Sequence, residues 1–315
     1  MEINSCAFGR IGLLGNPSDI YGGKGISFTF DRQVNLTLRQ SDEIVFRGNG
    51  SEERNNLEYN GNHTLLKGCV NYLKLNEKGR GFEIEYDSKI PIGHGFGGSS
   101  AILVSALRAF NKYFGLGFND YDIAEKAMAV ENYELGITGG PQDRYAISFE
   151  GMVFIDCRGK EFLRENDPYA KVERLEVKEL PFFVACSNRP KCSSTVHNDL
   201  RERFLNGETW IQKEMLQIGE LAELGKKALK NNDLKELGRL MNKNFEMRQK
   251  LCNVSPFDKD IVETALANNA FGARQAGSGG GIIVLAEDDN AFNVLKEKYA
   301  CFKPKIVLGC ERRAD

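Results

Sequence analysis

The spacing of apolar residues along the first half of the chain predicts an alternation of short strands and amphipathic helices. Residues 34–38 alternate between apolar and polar side chains with a period of two, as a half-buried strand does. Residues 63–73 carry apolar side chains at helical spacing, and residues 102–114 are apolar on a broad helical face. Further strands are predicted at residues 3–8, 26–30, 82–86 and 152–156, and a further helix from about Asp120 to before Gly136.

The second half of the chain has longer helical patterns and fewer strands. Helices are predicted at residues 210–230, 234–251, 259–268 and 290–299, and strands at residues 172–177, 182–186, 282–286 and 305–308. Strands and helices mixed in this order favour an α+β fold, in which an open sheet carries helices on one face, over a β-sandwich.

Length and composition predict two globular domains. A chain of 315 residues is longer than a single hydrophobic core usually grows. Its 41% hydrophobic and 27% charged residues are ordinary for a globular protein. The charged, apolar-poor residues 158–171 are the best candidate for a linker, although they could equally form a surface loop within one domain.

The net charge and the lack of targeting signals bear on the partners and the location of the protein. The formal net charge of −2 offers no basic surface for nucleic acid. No apolar run reaches the 18 or so residues of a membrane span, and the N-terminus shows no export signal, so we expect no membrane contact and a cytoplasmic location. The eight cysteines are scattered through apolar segments, and most are expected to be reduced core thiols.

Residues 9–25 form the first candidate site. This stretch contains six glycines and Pro17, and it lies between two predicted strands. Glycines at this density predict a tight loop that can approach a ligand closely.

Residues 91–101 are the most informative segment, because a glycine-rich run follows a strand and opens an apolar helix. Glycines let backbone N–H groups approach phosphate oxygens, and a helix N-terminus adds unpaired donors and partial positive charge. The dinucleotide fingerprint is excluded because no returning strand follows the helix, and a Walker loop is excluded because no lysine follows the glycines. A glycine-rich turn with a serine cap remains the alternative.

Two further segments carry candidate chemistry. Glu131 stands at the end of a predicted helix and Asp143 follows a glycine-rich turn, so one carboxylate could hold Mg²⁺ while the other orients a hydroxyl group. Isolated acids are more often solvated surface charges. Residues 276–281 form a third glycine-rich run, which could wrap a ligand or serve as a flexible connection.

Together these segments resemble the three motifs of the GHMP kinase superfamily, which includes galactokinases and mevalonate kinases. The resemblance implies an N-terminal ribosomal-protein-type βα domain over residues 1–165, a ferredoxin-like C-terminal domain over residues 166–315, and ATP and Mg²⁺ as cofactors. It implies that Asp143 is the base and that Arg10 lies beside the transferred phosphoryl group. It places ATP on Pro91, Gly93, Gly95, Phe96, Gly97, Gly98, Ser99, Ser100 and Ala101, and Mg²⁺ on Ser100 and Glu131.

The acceptor is expected to be a sugar or a uronic acid. The sequence Asn16-Pro17-Ser18-Asp19 departs from the galactokinase pattern and resembles the glucuronokinase branch of the superfamily. A carboxylate on the acceptor would then be bound by Arg144, Arg201 or Arg203. Heptose phosphate, galactose and mevalonate remain alternative acceptors, and a non-catalytic nucleotide sensor remains an alternative function. The implied acceptor-binding residues are Asp19, Tyr21, Gly139, Gly140, Arg144, His197, Arg201 and Gly279.

Overall fold

Two β-sheets with helices packed on them make up the described part of the protein. The computed structural model describes residues 1–48, 50–160, 168–187 and 194–309, with no side-chain description for residues 194–199. The strands are β1 Glu2–Leu14, β2 Lys24–Ser41, β3 Ile44–Gly48, β4 Ser51–Arg54, β5 Gly81–Ser88, β6 Met152–Asp156, β7 Lys171–Leu175, β8 Phe182–Cys186, β9 Gly272–Gln275, β10 Gly281–Leu285 and β11 Ala300–Phe302. The predicted α+β class is confirmed.

Helices connect and cover these strands. They are α1 Thr64–Tyr72, α2 Gly98–Phe114, α3 Asp120–Ala129, α4 Pro141–Phe149, α5 Ser194–Leu205, α6 Thr209–Lys230, α7 Leu234–Leu251, α8 Pro256–Ala267 and α9 Asn290–Leu295. A π-helical segment, Val130–Glu134, continues α3. In the described ranges, no helix has the length and apolar character that crossing a bilayer requires.

The larger sheet is built on a long β1–β2 hairpin. Its strand order is β4-β3-β5-β2-β6-β7, with β1 paired to the other edge of β2. The first part of β2 pairs with β6 and its last part with β5, and the polar residues 31–33, of which the first two are exposed, lie where the partner changes. These polar residues explain why the sequence predicted two short strands where the structure has one.

The predicted loop at residues 9–25 is corrected by the structure. Residues 9–14 continue β1, and the connection to β2 is shorter than expected. A register shift between Phe8 and Gly9 bends the hairpin, and the Phe30 ring occupies the space where a side chain at Gly9 would lie. Gly9 therefore serves a packed strand and does not belong to a ligand-binding loop.

The smaller sheet has the order β11-β8-β10-β9. Helices α7 and α8 pack on β9, and α8 also contacts β10 and α9. The predicted strand at residues 305–308 is wrong for the described residues, because Ile306 makes only an isolated bridge to Phe30 and the sheet edge is β11. Pro304 lacks a backbone N–H and so cannot continue the ladder beyond Phe302.

Strand β7 belongs to the larger sheet, where it pairs with β6. The change of sheet thus falls between Leu175 and Phe182, later along the chain than the predicted linker. The division at residues 165 and 166 remains a prediction.

The described cysteines are mainly free thiols. Cys69, Cys157 and Cys186 are free and buried, and Cys252 and Cys301 are free and partly buried. Cys6 is disulfide-bonded.

Candidate active site

A cleft of about 470 Å³ collects segments that are far apart in sequence. Its walls come from the turn after β1, the connection between β5 and α2, the stretch from the π-helical segment to α4, and the connection between β9 and β10. All three predicted motifs contribute residues to it. The predicted residues on its surface are Arg10, Asp19, Pro91, Gly93, Gly95, Phe96, Gly97, Gly98, Ser99, Glu131, Gly139, Gly140, Asp143 and Arg144.

The start of α2 faces this cleft. Gly97 has a φ of 73°, a left-handed conformation that suits glycine, and it directs the chain into the helix. The first turn of a helix leaves backbone N–H groups unpaired and adds partial positive charge, which together favour a phosphate. The hydroxyl oxygen of Ser100, in the first turn of α2, is buried and has no hydrogen-bond partner among the described residues.

The third glycine-rich run lies directly behind this loop. The N–H of Arg10 donates to the Phe96 carbonyl at 2.9 Å, and the N–H of Gly12 donates to the Ala276 carbonyl at 2.7 Å. A Cβ atom at Gly277 would clash with the Gly95 carbonyl oxygen. The two runs therefore contact each other backbone to backbone, which requires glycine, and β1 lies beside both.

Arg10 and Asp143 form a bidentate ion pair at the floor of the cleft. The Nε and Nη2 atoms of Arg10 donate to the two Asp143 carboxylate oxygens, each at 2.6 Å. Nη1 of Arg10 donates to the carbonyls of Gly95 and Ala276. The Arg10 side chain is 6% exposed and that of Asp143 is 27% exposed. The guanidinium is thus fixed, while the carboxylate stays within reach of a ligand.

Helix α4 positions Asp143, and it is an element that the sequence reading missed. Pro141 occupies its first turn, a common start for a helix. The helix is short and most of its residues are buried, polar ones included, so no amphipathic stripe marks it. The proline at its start is a sequence signal that could have identified it.

Asp19 lies next to this pair and is 7% exposed. Its Oδ2 accepts a hydrogen bond from the Gln142 N–H at 3.1 Å, and a Cβ atom at Gly140 would clash with the same oxygen. Burial and, secondarily, the charge of Asp143 raise the pKa of Asp19 to about 6. The backbone hydrogen bond and Arg144 oppose that shift.

Replacing Asp19 with asparagine is expected to stabilise the protein above pH 6. The folded pKa lies above the unfolded value of 3.8, so the folded protein holds this proton more tightly and its free energy of unfolding falls as pH rises from about 4 to about 6. The introduced asparagine carries no such charge, yet its side-chain oxygen can still accept from Gln142. The variant should therefore exceed wild type by about 2 to 3 kcal/mol at pH 8 and match it near pH 3.5.

Urea unfolding of both proteins at a series of pH values measures this difference. A stability difference that stays constant from pH 4 to pH 8 would contradict the raised pKa of Asp19.

Glu131 and Arg144 form a second buried ion pair in the cleft wall. Glu131 lies in the π-helical segment, an irregularity that is frequent at functional sites, and is 1% exposed. Arg144 contacts its carboxylate and also donates to the Gly140 carbonyl at 2.7 Å. Burial, reinforced by the positive charge of Arg10, lowers the pKa of Arg144 to about 10, while Asp19 opposes the shift. The Arg144 guanidinium is therefore already engaged by protein groups.

Other predicted residues lie off the described cleft surface. Ser100 and Ala101 are buried in the first turn of α2, and Gly279 follows the cleft residues Gly277 and Ser278. Tyr21 is buried against Phe204, with ring centroids 4.5 Å apart.

Two predicted acceptor residues belong to α5. Arg201 is partly exposed and does not line the described cleft. The side chain of His197 lies outside the described residues.

Several residues of the cleft were not predicted as site residues. Arg248 reaches it from α7, and Asn16 and Pro17 reach it from the turn after β1. The Asn-Pro-Ser-Asp signature pointed to Asn16 and Pro17. Asn244-Phe245 together with Arg248 resembles the same branch of the superfamily, although an arginine on a long amphipathic helix ordinarily indicates a solvated face.

Two family models match the chain. The model described as GHMP kinases N terminal domain matches residues 64–151, and the model described as GHMP kinases C terminal matches residues 226–303. The first match contains the glycine-rich segment of residues 91–101 and the segment from Glu131 to Asp143. The second contains Arg248 and the glycine-rich run before β10.

Curated relatives align with nearly the whole chain. Glucuronokinase 1 from Arabidopsis thaliana is 30% identical, with 98% of this chain and 93% of that protein covered. Galactokinase from Thermosipho africanus is 28% identical, with 91% of this chain and 90% of that protein covered. The crystal structure of Lactococcus lactis galactokinase complexed with galactose matches with a TM-score of 0.80 at 18% identity, over 97% of this chain and 93% of that one. At that identity the match shows a shared fold.

Proposed function

This chain belongs to the GHMP kinase family, and we propose that it transfers the γ-phosphoryl group of ATP to the anomeric hydroxyl of glucuronate. As a member of that family it is a phosphotransferase with an alcohol group as acceptor. Glucuronate is proposed as the acceptor because glucuronokinases are among the curated relatives at 30% identity.

The observation that carries the proposal is the position of the Arg10–Asp143 pair. The pair lies in the cleft onto which the glycine-rich start of α2 opens. Phosphoryl transfer depends on positioning and on stabilising charge, so it needs a donor site for phosphate oxygens beside a carboxylate that orients the attacking hydroxyl. The glycine-rich start of α2 and the Asp143 carboxylate line one cavity, which supports both roles.

The roles we propose for the chain's residues follow from this geometry. The backbone around Gly95 to Ser99 would hold the ATP phosphates, and the fixed Arg10 guanidinium would stabilise the charge on the transferring group. Asp143 would accept or orient the proton of the acceptor hydroxyl. Asp19, held by the Gln142 N–H, would bind another hydroxyl of the sugar.

We propose that Ser100 and Glu131 hold a magnesium ion, because Ser100 has a buried hydroxyl with no hydrogen-bond partner among the described residues and Glu131 has a buried carboxylate. Mg²⁺ takes few protein oxygens and completes its shell with phosphates and water, and it neutralises charge on the phosphates. The hydroxyl of Ser100, unpartnered within the described residues, and the carboxylate of Glu131 would supply the protein oxygens. Glu131 already contacts Arg144, so the ion and that guanidinium would share one carboxylate.

Glu131→Gln is therefore expected to shift the magnesium dependence. A neutral amide binds Mg²⁺ more weakly than a carboxylate, so half-maximal activity should require several-fold more magnesium and kcat should fall. Rates measured across a magnesium titration at saturating ATP report this change, with Glu134→Gln as the matched control in the same π-helical segment. If Glu131→Gln has the magnesium titration curve and the rate of wild type, Glu131 does not bind the metal ion.

The function as a whole is tested by screening ATP consumption over a panel of acceptors. The panel contains glucuronate, galacturonate, glucose, galactose, mevalonate and a heptose phosphate, and phosphorus NMR of the product reports which hydroxyl was phosphorylated. We expect glucuronate 1-phosphate. Turnover of a different acceptor alone would contradict the glucuronate proposal and still support a kinase. Tight ATP binding with no turnover of any acceptor would favour a nucleotide sensor.

A further inference from the structure

Arg248 is a buried cation that faces the cleft. It lies near the end of α7, is 2% exposed, and lines the same cavity as Asp19 and Asp143. Among the described residues its Nε has no hydrogen-bond partner, and no carboxylate forms an ion pair with its guanidinium. A charge removed from water in this way is costly unless an opposite charge joins it.

The neighbouring charged groups make contacts of their own. Arg10 pairs with Asp143, and Arg274 donates to the Leu13 carbonyl at 2.9 Å and to the backbone and side-chain oxygens of Asn16. The Oδ2 atom of Asp258 accepts from the Gln275 amide at 2.5 Å, and its Oδ1 has no hydrogen-bond partner among the described residues and forms no ion pair with Arg248.

Burial lowers the pKa of Arg248 and Arg10 reinforces that shift, whereas Cys252 and then Asp258 and Asp19 oppose it. Arg248 is thus the member of this arginine cluster whose guanidinium the described residues leave for a ligand.

The position of Arg248 places it on the acceptor side of the cleft. Asn244 precedes it by four residues on α7, so the two side chains lie on one face of the helix, about 5 to 6 Å apart at Cβ. Asn244 holds the turn after β1, because its Oδ1 accepts from the Gly15 N–H at 2.8 Å and its Nδ2 donates to the Asn16 carbonyl at 3.2 Å. Arg248 therefore lies beside the turn that carries Asp19, whereas Arg10 contacts the glycine-rich segment of residues 91–101.

The arginines expected from the sequence to bind an acceptor carboxylate are less suited to it. Arg144 is engaged by Glu131 and Gly140. Arg203 pairs with Glu208 and lies over the Trp210 ring, with 5.3 Å between its guanidinium carbon and the ring centroid. Arg201 is partly exposed and does not line the described cleft.

We propose that Arg248 is the residue that selects an anionic acceptor, by binding the carboxylate of a sugar acid. This inference rests on the proposed kinase function. In a uronic acid the carboxylate-bearing carbon and the anomeric carbon are the two neighbours of the ring oxygen. A guanidinium that holds the carboxylate, together with Asp143 at the anomeric hydroxyl, therefore fixes the sugar at both ends of this edge. A planar guanidinium can bind a carboxylate through two parallel hydrogen bonds, which gives orientation as well as affinity.

The test compares Arg248→Met and Arg248→Lys with wild type, and uses Arg239→Met as a matched control. Arg239 lies on the same helix but on its exposed surface, where it pairs with Glu236. The readouts are kcat/KM for glucuronate and for glucose, the KM for ATP, and the rise in melting temperature on adding glucuronate. For Arg248→Met we expect the glucuronate-to-glucose ratio of kcat/KM to fall at least about 100-fold, with a KM for ATP within about threefold of wild type.

Arg248→Lys should lower the glucuronate-to-glucose ratio of kcat/KM by less, because lysine keeps the positive charge and loses only the two parallel hydrogen bonds of the guanidinium. Without ligand, Arg248→Met should melt at the wild-type temperature or above, since it replaces an unpaired buried charge with an apolar chain. Glucuronate should no longer raise its melting temperature. Arg239→Met should behave as wild type in every readout.

The outcomes separate this inference from the proposed function. If wild type prefers glucuronate and Arg248→Met keeps the preference, the inference is wrong and the kinase proposal stands. If Arg248→Met instead lowers kcat/KM equally for every acceptor and raises the KM for ATP, Arg248 binds the nucleotide phosphates. That result would also contradict the inference. If wild type uses glucose as well as glucuronate, the glucuronate proposal fails and Arg248 selects nothing.

Discussion

Replacing Asp143 with asparagine is expected to lower kcat by about 10²- to 10⁴-fold, the range typical for loss of a general base. The variant is nearly isosteric, and Arg10 can still donate one hydrogen bond to the asparagine oxygen, so the floor of the cleft should keep its shape. The amide cannot accept the acceptor's proton. Backbone donors around the start of α2 remain, which predicts residual activity from positioning alone.

Steady-state kinetics at saturating ATP and acceptor measure this effect. The KM for ATP should change far less than kcat, because the proposed nucleotide contacts come from the loop before α2 and not from Asp143. Asp87→Asn, at an exposed position of β5, is the control for a loss of negative charge. A kcat for Asp143→Asn within about threefold of wild type would contradict a catalytic role, since it lies outside the range for a general base.

Wild-type enzyme is expected to use glucuronate at least about 10²-fold better than glucose in kcat/KM, because a site built to pair with a polar group rejects an analogue that lacks it. The overall charge of −2 gives the protein no general attraction for an anion, so the discrimination has to be local. A neutral sugar would leave the buried Arg248 guanidinium unpaired, and that cost falls on glucose alone. Glucuronate supplies the missing charge.

Rates with glucuronate, glucose and galacturonate under identical conditions test this preference. Galacturonate has the same carboxylate and differs at one hydroxyl, so it separates recognition of the charge from recognition of the ring. A shared preference for both uronates would place the selection at the carboxylate. Equal rates with glucose and glucuronate would contradict glucuronate as the specific acceptor, while the assignment to the GHMP kinase family would stand.

Much of the local structure could be predicted from the sequence. The period-two pattern located β5, the apolar run at residues 152–156 located β6, and helical spacing gave α7 to its observed ends at Leu234 and Leu251. The glycine-rich run before α2 identified the loop at the cleft. Such features depend on the local chain, because each is set by the periodicity of side chains or by the conformational freedom of glycine.

Local rules failed where tertiary contacts replace them. The polar residues 31–33 suggested a break, yet β2 continues through them because its neighbours change at that point. Helix α4 was missed because most of its residues are buried, so no apolar stripe distinguishes it from a turn. A buried position accepts polar residues when packing supplies their partners, and the sequence does not show those partners.

The sequence determined which chemical groups this protein brings to its cleft, and the tertiary structure decided how they are paired. Arg10 and Asp143 were both identified as candidates, but they are 133 positions apart and only the fold makes their bidentate contact. Arg144 and Arg248 are both buried arginines of the cleft, and only their surroundings show that Glu131 engages the first while no described carboxylate pairs with the second. A side chain's availability depends on its neighbours in space, and long-range packing sets those neighbours.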